Sequence, residues 1–186
     1  TSDNGCSKAA NISRLRKQGH HVSAQYRGSK SDIWEGGHRV PFLVRWPGMV
    51  EAASQSDQLI TLVDFFATIS DITGEKAPGM AEDSVSFLPA LSGQAIVSSR
   101  KGIIHHSISG HFAYRQGKWK LLLAKGSGGW SSPKESEVGA KTASAQLYNM
   151  EKDPSEQNNL YLSRPDVAER LLADLTLDVQ RGRSTD

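Results

Sequence analysis

The chain holds 186 residues, with 22 Lys and Arg against 20 Asp and Glu, and a charge of +2 is too balanced for the basic footprint by which nucleic-acid binders neutralise phosphates. A single cysteine, Cys6, excludes an internal disulfide framework and a cysteine-rich zinc module. No apolar run approaches the roughly 18 residues of a membrane span, so neither nucleic acid nor a membrane is an expected partner.

The N-terminus opens on Thr1-Ser2-Asp3-Asn4-Gly5, without Met and without the basic-then-apolar pattern of a signal peptide, as a processed or excised piece would. The first forty residues read as loop with at most one short helix, over 9–18. Val40-Pro41-Phe42-Leu43-Val44-Arg45-Trp46, closed by Pro47-Gly48, predicts a strand covered on both faces in an α/β sheet. Leu62, Phe65, Phe66, Ile69 and Ile72 recur at helical spacing, with Thr61 as N-cap and Gly74 past the end, and predict an amphipathic helix packed on that sheet. Pro78 and Gly79 mark a connection over 75–83, 87–91 predicts one helical turn, and 92–100 reads as linker.

The second half reads as an antiparallel sheet. Strands are expected over 103–109, 111–114, 119–123 and 146–150, with Arg115-Gln116-Gly117-Lys118 as a tight connection. The Gly/Ser/Lys-rich segment 125–145 is long enough to be either a functional loop or a disordered one. A final helix opens at Ser163-Arg164-Pro165 and carries an apolar stripe of Val167, Leu171, Leu172, Leu175 and Val179.

Asp3 and Asn4 place two hard oxygen donors together, the type that calcium or magnesium takes, and Asp-Asn-Gly is equally a turn sequence. Calcium wants about six to eight oxygens, so the pair completes a site without constituting one. Lys30, His38 and Arg39 surround the glycines of Glu35-Gly36-Gly37 and converge on an anion, or else the loop is structural with Glu35 paired to Arg39. The six histidines lack the His-Glu-x-x-His spacing, and no G-x-S-x-G, P-loop or G-x-G-x-x-G is present. Cys6 has no partner motif and receives no role.

Taken together these segments resemble the sulfatase family, type I sulfuric ester hydrolases of the alkaline-phosphatase-like superfamily. Ser2-Asp3-Asn4-Gly5 resembles the family's metal-binding S-D-N-G. Lys30 precedes Glu35-Gly36-Gly37-His38-Arg39-Val40-Pro41 as the family's active-site lysine precedes E-G-G-x-R-x-P. The W-P-G turn at 46–48, the helix over 62–74, Asp83 to Gly93 beside D-G-x-S-x-L-P-x-L-x-G, and Leu147-Tyr148-Asn149-Met150 with Asp153-Pro154 to Asn159-Leu160 are similar to further family segments in the same order.

The resemblance implies an α/β fold: the C-terminal part of an alkaline-phosphatase-like sheet domain over 1–100, then a small antiparallel subdomain with a packed C-terminal helix over 101–186. It implies Asp3 and Asn4 as calcium ligands, Lys30 as the catalytic cation on the sulfate, and His38 as a lesser substrate contact. The family's C/S-x-P-S-R, whose Cys or Ser becomes formylglycine, has no match; Cys6 lacks the Pro and Arg. The expected partners are therefore a sulfated small molecule or carbohydrate and the N-terminal half of the same protein. The fragment alone is expected to be inactive, and the full protein exported or lysosomal. A metal-dependent phosphohydrolase of the superfamily and a non-catalytic structural module are the rival readings, and an indole at Trp130 suits a sugar or aromatic leaving group.

Overall fold

The computed structural model describes residues 1–75 and 81–186. Two compact units divide them, one of Thr1–Phe42 with Ile104–Ala173, the other of Leu43–Ile103 with Asp174–Asp186.

In the first unit a 3-10 turn, Lys8–Ala10, leads into α1, Ile12–Lys17, where the helix over 9–18 was expected. Asn11, at φ 56°, closes the turn and caps α1 by accepting from the Arg14 N–H. The single-turn α2, Glu35–His38, stands where the glycine pair was read as loop. Four strands follow, β1 Ile103–His106, β2 Phe112–Gln116, β3 Trp119–Leu122 and β4 Gln146–Asn149, in the sheet order β1-β2-β3-β4.

The register of β2, β3 and β4 is antiparallel, pairing Tyr114 with Leu121 and Leu121 with Leu147. Because side chains alternate across a strand, Ala113, Lys120, Leu122, Gln146 and Tyr148 share one face. There Ala113, Leu122 and Tyr148 join Ile33, Trp34, Ala124 and Met150 in one buried cluster. The opposite face carries Tyr114, Leu121 and Leu147, all fully buried. A groove lined by Leu121, Leu123, Pro165, Ala168 and Leu172 runs along it beside the final helix, α5, Pro165–Arg181. Val167, Leu171 and Leu175 of the expected stripe are buried, whereas Leu172 and Val179 are exposed.

In the second unit α3 spans Asp64–Thr73 and ends at Gly74 in the left-handed conformation, φ 72°. The single turn α4, Leu88–Leu91, follows. Two expectations are corrected here. Residues 40–46 are not a β-strand, and Leu43 is 82% exposed; a strand needs ladder partners, and the sheet of the described residues does not include this run. Nor does α3 bury its apolar stripe, since Leu62, Phe66, Ile69 and Ile72 are exposed.

The anchor of α3 is polar instead. The buried Asp64 accepts from both Arg100 guanidinium nitrogens at 2.6 and 2.8 Å, from Thr61 N–H at 2.8 Å and from Val85 N–H at 2.9 Å. Thr61 is not the N-cap that was expected: Val63 holds that position without a side-chain bond, and the Ala67 N–H in the first turn donates to Ser84 Oγ at 2.8 Å. Thr68 accepts from Phe87 N–H at 3.0 Å, and Phe65 meets Phe87 edge to face. The connection expected around Pro78 and Gly79 lies outside the described residues.

Candidate functional site

Asp3, Asn4, Lys30 and His38 are dispersed along the sequence, and backbone hydrogen bonds bring their segments together. Gly5 N–H donates to Gly37 O at 3.0 Å, Lys30 N–H to Cys6 O at 3.0 Å, and Gly36 N–H to Arg27 O at 2.7 Å. The approach tolerates no side chain: a Cβ on Gly5 would stand 1.9 Å from Gly36 O, and one on Gly36 would stand 2.4 Å from Gly28 O. The glycines of the Glu35-Gly36-Gly37 segment therefore serve close packing of three backbone segments.

The turn that carries Lys30 is tightly specified. Ser31 adopts φ 85°, in the left-handed region disfavoured for residues with a Cβ. Such strain persists where the surroundings over-determine it. Here Ser31 O accepts from Ile108 N–H at 3.1 Å and Ser31 Oγ from Trp130 N–H at 3.1 Å. Lys30 itself is half-buried, and its ammonium makes no hydrogen bond or ion pair among the described residues. A cation held on a rigid turn without an internal partner is suited to an external anion.

Asp32 ties this turn to the 125–145 segment. Fully buried, it accepts from Ser29 N–H at 2.8 Å on one side, and from Trp130 N–H at 2.9 Å, Ser131 N–H at 3.0 Å and Ser131 Oγ at 2.5 Å on the other. The segment has further attachments, Ile33 N–H to Ser127 O at 2.8 Å, and Glu135 accepting from Lys125 and Gly126 N–H at 2.9 and 2.7 Å. The disordered alternative for 125–145 does not hold, since these bonds fix the segment on both sides of Trp130.

Beneath α2 lies a charge network. Lys120 is wholly buried, its Nζ 2.9 Å from Glu35 Oε1 and 2.8 Å from Glu156 Oε1. Glu156 Oε2 accepts from Glu35 N–H at 2.6 Å, and Arg39 and Arg115 approach Glu35 Oε2 at 3.3 and 3.8 Å. Burial alone would raise the Glu35 carboxyl, but the charge and hydrogen bond of Lys120, with Arg115 and Arg39, outweigh it and hold Glu35 at about 2. The more deeply enclosed Glu156 is displaced upward by burial, against the pull of Lys120. The expected Glu35–Arg39 pair is present, though Lys120 is the nearer partner.

His38 packs its ring against His105, centroids 4.2 Å apart. It hydrogen-bonds the Asp32 backbone, while Nε2 is buried without a partner among the described residues. Burial first, then the Lys120 charge, lowers His38 to about 4 and pushes His105 well below 6.5. Both rings are therefore neutral at pH 7. A histidine with a depressed folded pKa binds its proton more readily when unfolded, so this stabilisation is complete above 6.5 and is lost as pH falls towards about 4. Histidine proton shifts followed through a pH titration should place the His38 midpoint close to 4; a midpoint near 6.5 would contradict the burial.

At the other end of the site Asn4 Nδ2 donates to Asp3 Oδ2 at 2.5 Å, which leaves Asn4 Oδ1 as an open acceptor beside the carboxylate. The pair offers hard oxygens that fit calcium. Among the described residues no group of three His, Cys, Asp or Glu side chains gathers to hold a metal.

Sequence reasoning missed Lys120, Glu156 and Asp32. The available signal was a lysine inside the apolar run Trp119-Lys120-Leu121-Leu122, since a charge at a core position demands a partner.

The sulfatase family model matches residues 1–75. An N-acetylgalactosamine-6-O-sulfatase of Bacteroides thetaiotaomicron is 32% identical over 157 residues, 84% of this chain and 30% of that protein. Arylsulfatase G of Rattus norvegicus is 29% identical over 175 residues, 84% of this chain and 32% of that protein. A solved structure from work on glycosaminoglycan metabolism by Bacteroides thetaiotaomicron superimposes with a TM-score of 0.74 at 29% identity, covering 97% of this chain and 38% of that one. The chain thus spans about a third of the length of the curated relatives it matches.

Proposed function

The chain belongs to the sulfatase family, and from that premise we propose that it is the part of a sulfuric ester hydrolase that brings Lys30 to the sulfate group and Asp3 and Asn4 to a calcium ion. The observation that carries the reading is the Lys30 ammonium, unpartnered among the described residues and fixed on a strained turn whose backbone is bonded to Cys6, just after Asp3 and Asn4.

Calcium, when bound, would polarise sulfate oxygens. Asp3 and Asn4 would supply two of its oxygens, and the neutral Asn4 would keep the site less repulsive to an anionic ester than a second carboxylate would. Lys30 is a compact cation suited to neutralising charge on the sulfate or on the departing ester oxygen. His38, neutral at ordinary pH, would stand at the edge of the same loop as a lesser substrate contact. Formylglycine finds no matching residue in this chain, since Cys6 is followed by Ser7-Lys8-Ala9-Ala10, so no nucleophile is assigned.

The substrate class is a sulfated small molecule or carbohydrate. The exposed apolar stripe of α3 suits burial against further polypeptide of the same protein. No helix of the described residues is long and apolar enough to cross a membrane, and an exported or lysosomal location accords with the family resemblance.

The test is Lys30→Ala in the full-length protein. The kcat/KM for an aryl sulfate should fall by roughly 10²–10³, with thermal unfolding little changed because the ammonium makes no hydrogen bond or ion pair among the described residues. An unaltered rate would remove Lys30 from the chemistry. Faster turnover of an aryl phosphate than of the sulfate by the wild-type protein would favour the phosphohydrolase reading.

A further inference from the structure

Within the sulfatase reading, on which this rests, we propose that Trp130 and Lys8, seated against the Lys30 turn by Asp32, form a subsite for the sugar ring of a sulfated carbohydrate. The first observation is placement. Trp130 N–H lies 2.9 Å from Asp32 Oδ1 and 3.1 Å from Ser31 Oγ, so its backbone is in contact with the residues immediately after Lys30. Ser131 Oγ lies 3.5 Å from Ser29 Oγ, on the preceding side of the same lysine.

The second observation is that the contact is built for this approach. Gly129 passes so close that a Cβ there would stand 2.4 Å from Ser31 O and 2.7 Å from Asp32 Oδ1. Gly128 takes φ 61°, a conformation that residues with a Cβ rarely adopt. Two adjacent glycines thus bring the indole-bearing residue against the turn.

The third observation concerns the tryptophan. Trp130 remains 40% exposed although its backbone is fixed on both sides, its N–H by Asp32 and its carbonyl by the Lys8 ammonium. A large aromatic left partly open on a rigid backbone costs little entropy when it binds. Its apolar body and polar edge suit the alternating C–H and hydroxyl faces of a pyranose. Lys8 and the Ser31 hydroxyl give the surroundings a polar, hydrogen-bonding character that matches sugar hydroxyls and further sulfate groups. A bare aryl leaving group makes no use of them.

The full-length protein is assayed with 6-O-sulfated N-acetylgalactosamine and with 4-nitrophenyl sulfate, as wild type, Trp130→Ala and Trp130→Phe. The expected result is a rise of roughly tenfold in KM for the sulfated sugar in Trp130→Ala. Its kcat should stay within about twofold, the KM for 4-nitrophenyl sulfate should rise by clearly less than that for the sugar, and Trp130→Phe should restore most of the sugar KM. Equal losses on both substrates, or no loss on either, would overturn the subsite. Wild-type turnover of the aryl sulfate with none of the sugar would also overturn it and leave the sulfatase reading standing. Turnover of neither sulfate would instead remove that reading itself.

Discussion

Lys120→Met should lower the stability of the protein by about 3–5 kcal/mol, the loss typical when one partner of a buried ion pair is removed. The substitution keeps most of the side-chain volume but leaves the Glu156 carboxylate, which is fully buried, without the ammonium 2.8 Å from it. Glu35 retains Arg39 and Arg115 and is the less affected partner. The double variant Lys120→Met/Glu156→Gln should recover at least half of the loss, because a glutamine oxygen can still accept the Glu35 N–H while the buried negative charge is gone. Thermal or denaturant unfolding of both variants decides this, and a double variant no more stable than the single would show that the network is not what holds the site.

The acid limb carries the same signature. With Glu35 at about 2 in the folded protein against 4.5 unfolded, its contribution is complete above 4.5 and disappears as pH falls towards 2. Loss of Lys120 removes the largest charge that opposes the burial cost and raises the folded-state Glu35 carboxyl towards its unfolded value, so the fall in stability between pH 4.5 and 2 should be shallower in Lys120→Met than in wild type. The histidine window lies above it, between 6.5 and about 4, and should remain visible as a separate phase.

Gly36→Ala is expected to lower both activity and stability through a single methyl group. The new Cβ would stand 2.4 Å from Gly28 O and 2.6 Å from Arg27 O, the carbonyl that already accepts the Gly36 N–H at 2.7 Å. Backbone on both sides has to separate by close to 1 Å, and a displacement of that size at a catalytic group costs on the order of 10² in rate. Overpacking of this kind typically destabilises by about 1–3 kcal/mol as well. Gly139→Ala is the matched control, since a Cβ there meets nothing within 4 Å. Wild-type kcat/KM on an aryl sulfate for Gly36→Ala would mean that the Lys30 turn does not depend on this packing; the unfolding temperature tests the steric argument independently of the activity.

The elements that follow from local pattern were legible in the chain. The 3.6-residue spacing of α3 and α5, the glycine after α3, and the β-rich runs of β2, β3 and β4 each express a preference of a few neighbouring residues. The candidate residues Asp3, Asn4, Lys30 and His38 were named by their place in ordered motifs, and the structure brings their segments together through Gly5, Gly36 and Gly37.

Other features are not local. Periodicity marks the apolar face of α3 but not whether anything covers it, and Asp64 with Arg100, 36 residues apart, anchors the opposite side. An apolar run such as 40–46 becomes a strand only when ladder partners meet its backbone, and the sheet here does not. Lys120, Glu35 and Glu156 come from a strand, a one-turn helix and a loop, so their shared charge exists only once the sheet is formed. Asp32 likewise has no assignment in its own neighbourhood, because two of its donors arrive from residues 130 and 131. The sequence by itself determined the order of the motifs and the helical spacing of α3 and α5, but not whether 40–46 would join a sheet. The tertiary structure alone decided which charges are buried together and which loop backbone is bonded to the Lys30 turn, because both depend on contacts between residues 85 to 98 positions apart.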